Sequence, residues 1–304
     1  MDVPGDLVDQ IARGKGVVFV GAGLSQGAGL PGWPALLRQM LDWSEKHGKE
    51  LADRAELEGY IDNGELLLVA EEMRERLGRD DFRRFMVEIF RKPGLKPTAA
   101  QMLLPQIPFA AALTSNYETL LESAYTVACG AIPHVFTQED YPELSAALRS
   151  GEFYVLKVHG TIDRIQTLVL GQGDYREVMH ANLPYRQHLT TLFSSMTVLF
   201  LGFGLTDPDI LLLLDELRTT FKEYTGKHYA LMSIGNVSAI KQKRFEKDFG
   251  IEIIPYTPSE PDHPEVHVFL STLMQQVKQV RDSIKLPVPG PVTPLEDLAA
   301  EVRT

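Results

Sequence analysis

Two patterns of apolar positions share this chain. The first is a set of short, nearly unbroken apolar runs at residues 17–20, 109–113, 153–158, 198–201, 229–234 and 251–256. Such runs suit strands covered on both faces, and so a mainly parallel sheet. In the second, apolar residues return at three- and four-residue spacing, as on one face of a helix. It predicts a short helix at 3–13, a nearly all-helical stretch over 34–91 with segments at 35–47, 64–77 and 80–90, and a last helix at 265–284. Pro93 and Pro97 close the long stretch. One crossover between parallel strands needs less than this, so residues 35–97 are expected to form an inserted helical lobe; a set of ordinary flanking helices is the alternative. Residues 286–294 read Leu-Pro-Val-Pro-Gly-Pro-Val-Thr-Pro, an extended spacer. Beyond it Leu295, Leu298 and Val302 would share one face of a short helix. The expected organisation is one domain over 1–285 and a tail over 286–304, either free or an arm between protomers.

Composition narrows the class. A chain of 304 residues suffices for one large domain or a domain with an inserted lobe. Its 44% hydrophobic and 23% charged residues fit an ordinary soluble globular protein. A formal net charge of -11 opposes the broad basic surface that nucleic-acid backbones require, so no direct nucleic-acid binding is expected. No apolar run reaches membrane-spanning length and the N-terminus lacks a basic-then-apolar signal, so a cytoplasmic protein without membrane contact is expected. Cys129 is the only cysteine, which excludes an intrachain disulfide and a zinc site of several thiolates. Neither His-x-x-His nor His-Glu-x-x-His occurs, so no metal is expected.

The candidate chemistry sits at the ends of the predicted strands, where ligands lie in open α/β sheets. After the first strand comes Gly21-Ala22-Gly23-Leu24-Ser25, whose glycines would let a phosphate approach backbone N–H groups. The spacing departs from a dehydrogenase: the third glycine of Gly-x-Gly-x-x-Gly would fall at Gln26, and Asp42, at the distance of a ribose-binding acid, lies in a helical pattern. The loop thus suits a dinucleotide but not hydride transfer. Asn116 follows the second run and could orient a sugar hydroxyl or a water, or simply cap the following helix. His159 ends the third run, before Gly160, and is placed as a general base or as a structural histidine. Gly202-Phe203-Gly204 would pass close to a second phosphate or ribose, and Asp207 or Asp209 would cap the helix at 210–217. Asp174 would cap another helix.

In this order the motifs resemble the Sir2 (sirtuin) superfamily, in particular its bacterial Sir2-like NAD-hydrolase branch associated with phage defence. The resemblance covers about residues 10–256. Gly21-Ala22-Gly23-Leu24-Ser25 resembles the first nucleotide-binding motif. Thr114-Ser115-Asn116-Tyr117-Glu118 resembles Thr-x-Asn-x-Asp, with Glu118 where Asp is common. Lys157-Val158-His159-Gly160 carries the His-Gly pair, and Gly202-Phe203-Gly204-Leu205 resembles the motif at a late strand tip. The four-cysteine zinc module is missing, and Trp33 opens the helical lobe where acyl-lysine enzymes have Asp-Phe-Arg. The resemblance implies an α/β, Rossmann-like fold and cleavage of NAD to nicotinamide and ADP-ribose, with Asn116 and His159 catalytic. It also implies a nucleotide site of Gly21, Ala22, Gly23, Ser25, Trp33, Glu118, Gly202, Phe203, Gly204, Asp207 and Tyr256. An NAD-dependent deacylase or ADP-ribosyl transferase, and a non-catalytic NAD or ADP-ribose sensor, are the alternatives. The resemblance further implies a homo-oligomer or a separate sensor subunit, a HerA-like ATPase or an Argonaute-like protein.

Overall fold

Strand β1 (Gly16–Val20) is buried along its whole length because it is the centre of the sheet. In the computed structural model, which describes residues 2–221, 226–260 and 262–284, it pairs with β2 (Ala111–Thr114) on one side and, late in the chain, with the strand at Thr197–Leu201 on the other. The tail expected at 286–304 lies outside the described residues. The remaining strands are β3 (His134–Thr137), β4 (Tyr154–Lys157), β5 (Thr197–Leu201), β6 (His228–Ser233) and β7 (Ile251–Tyr256). Among the described residues they form one seven-stranded sheet in the order β3-β4-β2-β1-β5-β6-β7, with every pairing parallel.

Two-residue periodicity sends alternate side chains to opposite faces. Val17, Phe19, Leu113, Leu156, Phe200 and Ala230 pack into one core. Val18, Val20, Ala112, Val155, Leu201 and Tyr229 pack into the other. Both faces are thus dry, as the unbroken apolar runs predict. β3 was not expected from the sequence. It is an edge strand whose His134, Val135 and Phe136 are only half-buried, so it carries no apolar run.

Between β1 and β2 lie the helices Trp33–Lys46, Arg54–Asp62 and Leu66–Phe90. The last is kinked at Gly78 (φ 70°, ψ 174°), so the segments expected at 64–77 and 80–90 fall on either side of the break. These helices enclose a third apolar cluster around Leu37, Met40, Met73, Phe85 and Phe90. Tyr117, Leu120, Ile162, Leu168 and Leu170, from the segments after β2 and β4, complete that cluster, so the helical lobe shares its core with the sheet domain.

Candidate functional site

Register brings four strand ends level. Val20 aligns with Thr114 and Leu201, and Thr114 aligns with Lys157. The segments that follow β1, β2, β4 and β5 therefore leave the same edge of the sheet. Chain order reverses beside β1, which makes this the topological switch point of the sheet.

The first cluster gathers Ser25, Gln101, Asn116 and Glu118. The Ser25 hydroxyl donates to Glu118 Oε1 at 2.6 Å, and Gln101 Nε2 donates to Ser25 Oγ at 3.1 Å. Asn116 Nδ2 lies 3.2 Å from the Gly21 carbonyl, 3.1 Å from Ser25 Oγ and 3.1 Å from Glu118 Oε1. The carbonyl and carboxylate can only accept, so this end of the side chain is the NH2 group. Its Oδ1 is buried and has no hydrogen-bond partner. The next helix, Leu120–Cys129, has Thr119 at its N-cap position, so Asn116 is not its cap. Burial pushes the Glu118 carboxyl upward, against the opposing pull of the Lys157 charge and the Ser25 hydroxyl. Lys157 is fully buried beneath this cluster and donates to the Glu118 carbonyl and to Glu122 Oε1, the latter at 2.7 Å.

The second cluster joins the segments after β4 and β5 across the two strands between them. His159 Nε2 lies 2.9 Å from Asp207 Oδ2. The Tyr175 hydroxyl donates to the same oxygen at 3.2 Å, and its ring meets His159 edge-on at 5.1 Å. Asp207 Oδ1 accepts from the backbone N–H groups of Asp209 and Ile210 at 3.1 and 3.0 Å and so caps the helix Pro208–Phe221. Burial alone would raise the Asp207 carboxyl, but the His159 charge and these hydrogen bonds hold it below its ordinary range. Gly160 turns the chain here with φ +79°, and a Cβ on it would lie 2.0 Å from the Thr167 carbonyl oxygen. Asp174, at the third position of the helix Gln172–Arg176, reaches back to the N–H groups of Leu170 and Gly171 and pairs with Arg74 of the lobe.

The other expected site residues lie in the following surroundings. The N–H groups of Gly21 and Gly23 already donate to Leu201 and Gly202 carbonyls, both at 2.9 Å, so they are not free for a pyrophosphate. A Cβ on Gly21 or Gly23 would come within 2.5 or 2.9 Å of the Gly202 carbonyl oxygen. These glycines allow two loops to touch. Phe203 turns its ring into the core, 4.6 Å from Phe19 and 5.5 Å from Phe200, leaving only its backbone for a ligand. Both oxygens of Asp207 are engaged within the protein, which leaves little of it for a nucleotide. Tyr256 ends the edge strand β7 and bonds His263 Nδ1 at 2.9 Å, away from either cluster. Trp33 packs against the lobe core. Ala22 stays in the first loop, and Gly204 has no atom closer than Thr206 Oγ1 at 3.6 Å to where a Cβ would sit.

Gln101, Lys157 and Tyr175 were not singled out in the sequence for these contacts. A lysine ending an apolar strand signals a buried partner; nothing local marks the other two. Among the described residues no group of three or more His, Cys, Asp or Glu side chains is placed to hold a metal, and no helix is long and apolar enough to cross a membrane. A groove of about 810 Å³ lies by β3, lined by residues such as Ile132, Phe136 and Arg164 and reaching Glu122, the partner of Lys157.

A parallel, doubly covered sheet with polar loops gathered at its switch point defines a Rossmann-like α/β fold. Residues 110–254 match the family model for the SIR2-like domain. It is 25% identical over 228 residues to NAD(+) hydrolase ThsA of Enterococcus faecium, covering 74% of this chain and 44% of that protein. It is 26% identical over 230 residues to Defense-associated sirtuin 2 of Bacillus subtilis, covering 74% of this chain and 21% of that one. The chain thus spans less than half the length of these relatives. A solved Sir2 homologue in complex with NAD aligns with 92% of this chain and 95% of its own at TM-score 0.47 and 11% identity.

Proposed function

We propose that this chain hydrolyses NAD+ at the bond between nicotinamide and ribose, giving nicotinamide and ADP-ribose, as a regulated NAD-depleting effector in anti-phage defence. The observation that carries this reading is the unpartnered Oδ1 of Asn116. A buried acceptor without a donor is costly and stays so until a ligand supplies an O–H. Its NH2 end is fixed by three protein acceptors, so Oδ1 is pre-aimed. A ribose hydroxyl or the attacking water provides the missing donor. The relatives named NAD(+) hydrolase support the choice of substrate.

Nicotinamide leaves NAD+ as a neutral molecule from a cationic bond, so no Lewis acid is needed on the leaving group. Asn116 orients the ribose or the water. His159 takes the proton from that water, directly or through a ribose hydroxyl. Ser25 and Glu118 hold Asn116 in place, and the loops at Gly21–Ser25 and Gly202–Gly204 frame the rest of the nucleotide. Because unrestrained NAD loss would harm the host, control through a homo-oligomer or a separate sensor subunit, such as a HerA-like ATPase or an Argonaute-like protein, belongs to the same proposal.

Purified protein incubated with NAD should release nicotinamide and free ADP-ribose, identified by mass, with or without a chelator. Folded Asn116→Ala and His159→Ala variants should each turn over at least about 100-fold more slowly. Near-wild-type turnover in either would remove that residue from the mechanism. Acyl- or protein-linked ADP-ribose would instead indicate transfer, and binding without turnover would indicate a sensor.

A further inference from the structure

We propose that Asp207 is a positioning residue for His159, holding the imidazole as its Nε2–H tautomer and leaving Nδ1 as the basic nitrogen. A carboxylate can only accept hydrogen bonds, so a neutral His159 must carry its proton on the nitrogen that faces Asp207. The contact is screened from water, the two side chains being 12% and 5% exposed. The carboxylate has little freedom to turn. One oxygen is tied to two N–H groups at the start of the helix Pro208–Phe221. The other is shared by His159 and the hydroxyl of Tyr175, itself buried. The imidazole is therefore fixed by a group that is fixed by two further elements. The contact links β4 to β5 over the ends of β2 and β1, so the tautomer is set only once the sheet is assembled.

The kinetic consequence rests on the proposed hydrolase reading; the tautomer does not. Asp207→Asn and Asp207→Ser separate the two duties of this side chain, because both residues still cap a helix while neither offers a carboxylate. Proton–nitrogen correlation spectra of imidazole-labelled protein should show the Nε2–H form in the parent and a population moved toward Nδ1–H in both variants. The kcat for NAD should fall about 100-fold with KM little changed. Tyr175→Phe, which keeps the ring and removes one hydrogen bond, should move the spectrum the same way and lower kcat about fivefold. Thermal melts identify variants that remain folded, and Tyr175→Phe keeps the test open if both Asp207 variants unfold. An unchanged His159 spectrum in folded variants, or full turnover in them, would overturn the assignment. A shifted spectrum in a protein that cleaves no NAD would support this inference while removing the hydrolase reading.

Discussion

Asn116 is saturated at its donating end and open at its accepting end, and that asymmetry gives the site its direction. Its place, and those of Ser25, Glu118 and His159, could be suggested from sequence because each follows an apolar run within a few residues. Gln101 could not, since it reaches Ser25 from a turn whose location depends on packing. Asp207 could be suggested as a helix cap but not as the partner of His159. Its neighbour Asp209 gives a testable pH dependence. Burial first, then the Asp207 charge, raises the Asp209 carboxyl from 3.8 to about 7. Between those values the native protein binds more protons than the unfolded chain, so this group's contribution to stability falls as pH rises, and the loss is complete above the folded value. Asp209→Asn removes the ionisation. Discounted for partial exposure, the variant should be more stable than the parent by about 1–2 kcal/mol at pH 8 and nearly equal at pH 4. Denaturant melts at the two pH values measure the difference, in which groups common to both proteins cancel. An advantage for the variant that is no larger at pH 8 than at pH 4 would contradict the raised value.

At the scale of elements, the glycine-rich loops were legible as loops but not for their reason. Sequence suggests glycines opened toward a phosphate, whereas the folded chain shows the loops after β1 and β5 pressed together, backbone on backbone. Gly202 has φ +60°, and a Cβ there would lie 2.4 Å from the Leu24 backbone nitrogen. Gly204, two residues on, has ordinary room. Gly202→Ala should therefore destabilise the protein by about 2 kcal/mol or more, from left-handed strain and the clash together, while Gly204→Ala should melt close to the parent. Equal melting temperatures for the two would show that the loops do not meet this way. A branched residue at Gly23 would likewise strike the Gly202 backbone, so a loss of NAD affinity in Gly23→Val would report a broken loop contact as well as a blocked site. The same limit of local reading explains β3: with His134, Val135 and Phe136 half-exposed at the sheet edge, neither an apolar run nor a clean alternation marks it.

For the whole molecule, the doubly covered sheet was readable from its unbroken apolar runs, and the helical stretch from its three- and four-residue spacing. How the two share a core was not, because that depends on pairs distant in the chain. Tyr117, one residue beyond Asn116, packs its ring edge-on against Phe90 of the lobe at 5.4 Å and donates its hydroxyl to the Val169 carbonyl at 2.7 Å. Val169 in turn donates its N–H to the carbonyl of His159 at 3.0 Å. Phe90 thus leads through one ring and two hydrogen bonds to both clusters, although it lies at the far end of a lobe helix. Phe90→Ala should cost about 3–5 kcal/mol, the range for emptying a buried aromatic position. Because lobe and sheet domain share residues of one apolar cluster, that loss should lower a single unfolding transition rather than split it. Turnover of NAD should also fall at temperatures where the variant is still folded, as the Asn116 and His159 segments lose their common support. Calorimetry beside an activity assay decides the matter: two separate transitions, with the later one unmoved and turnover intact, would mean that the lobe folds on its own and leaves the site alone.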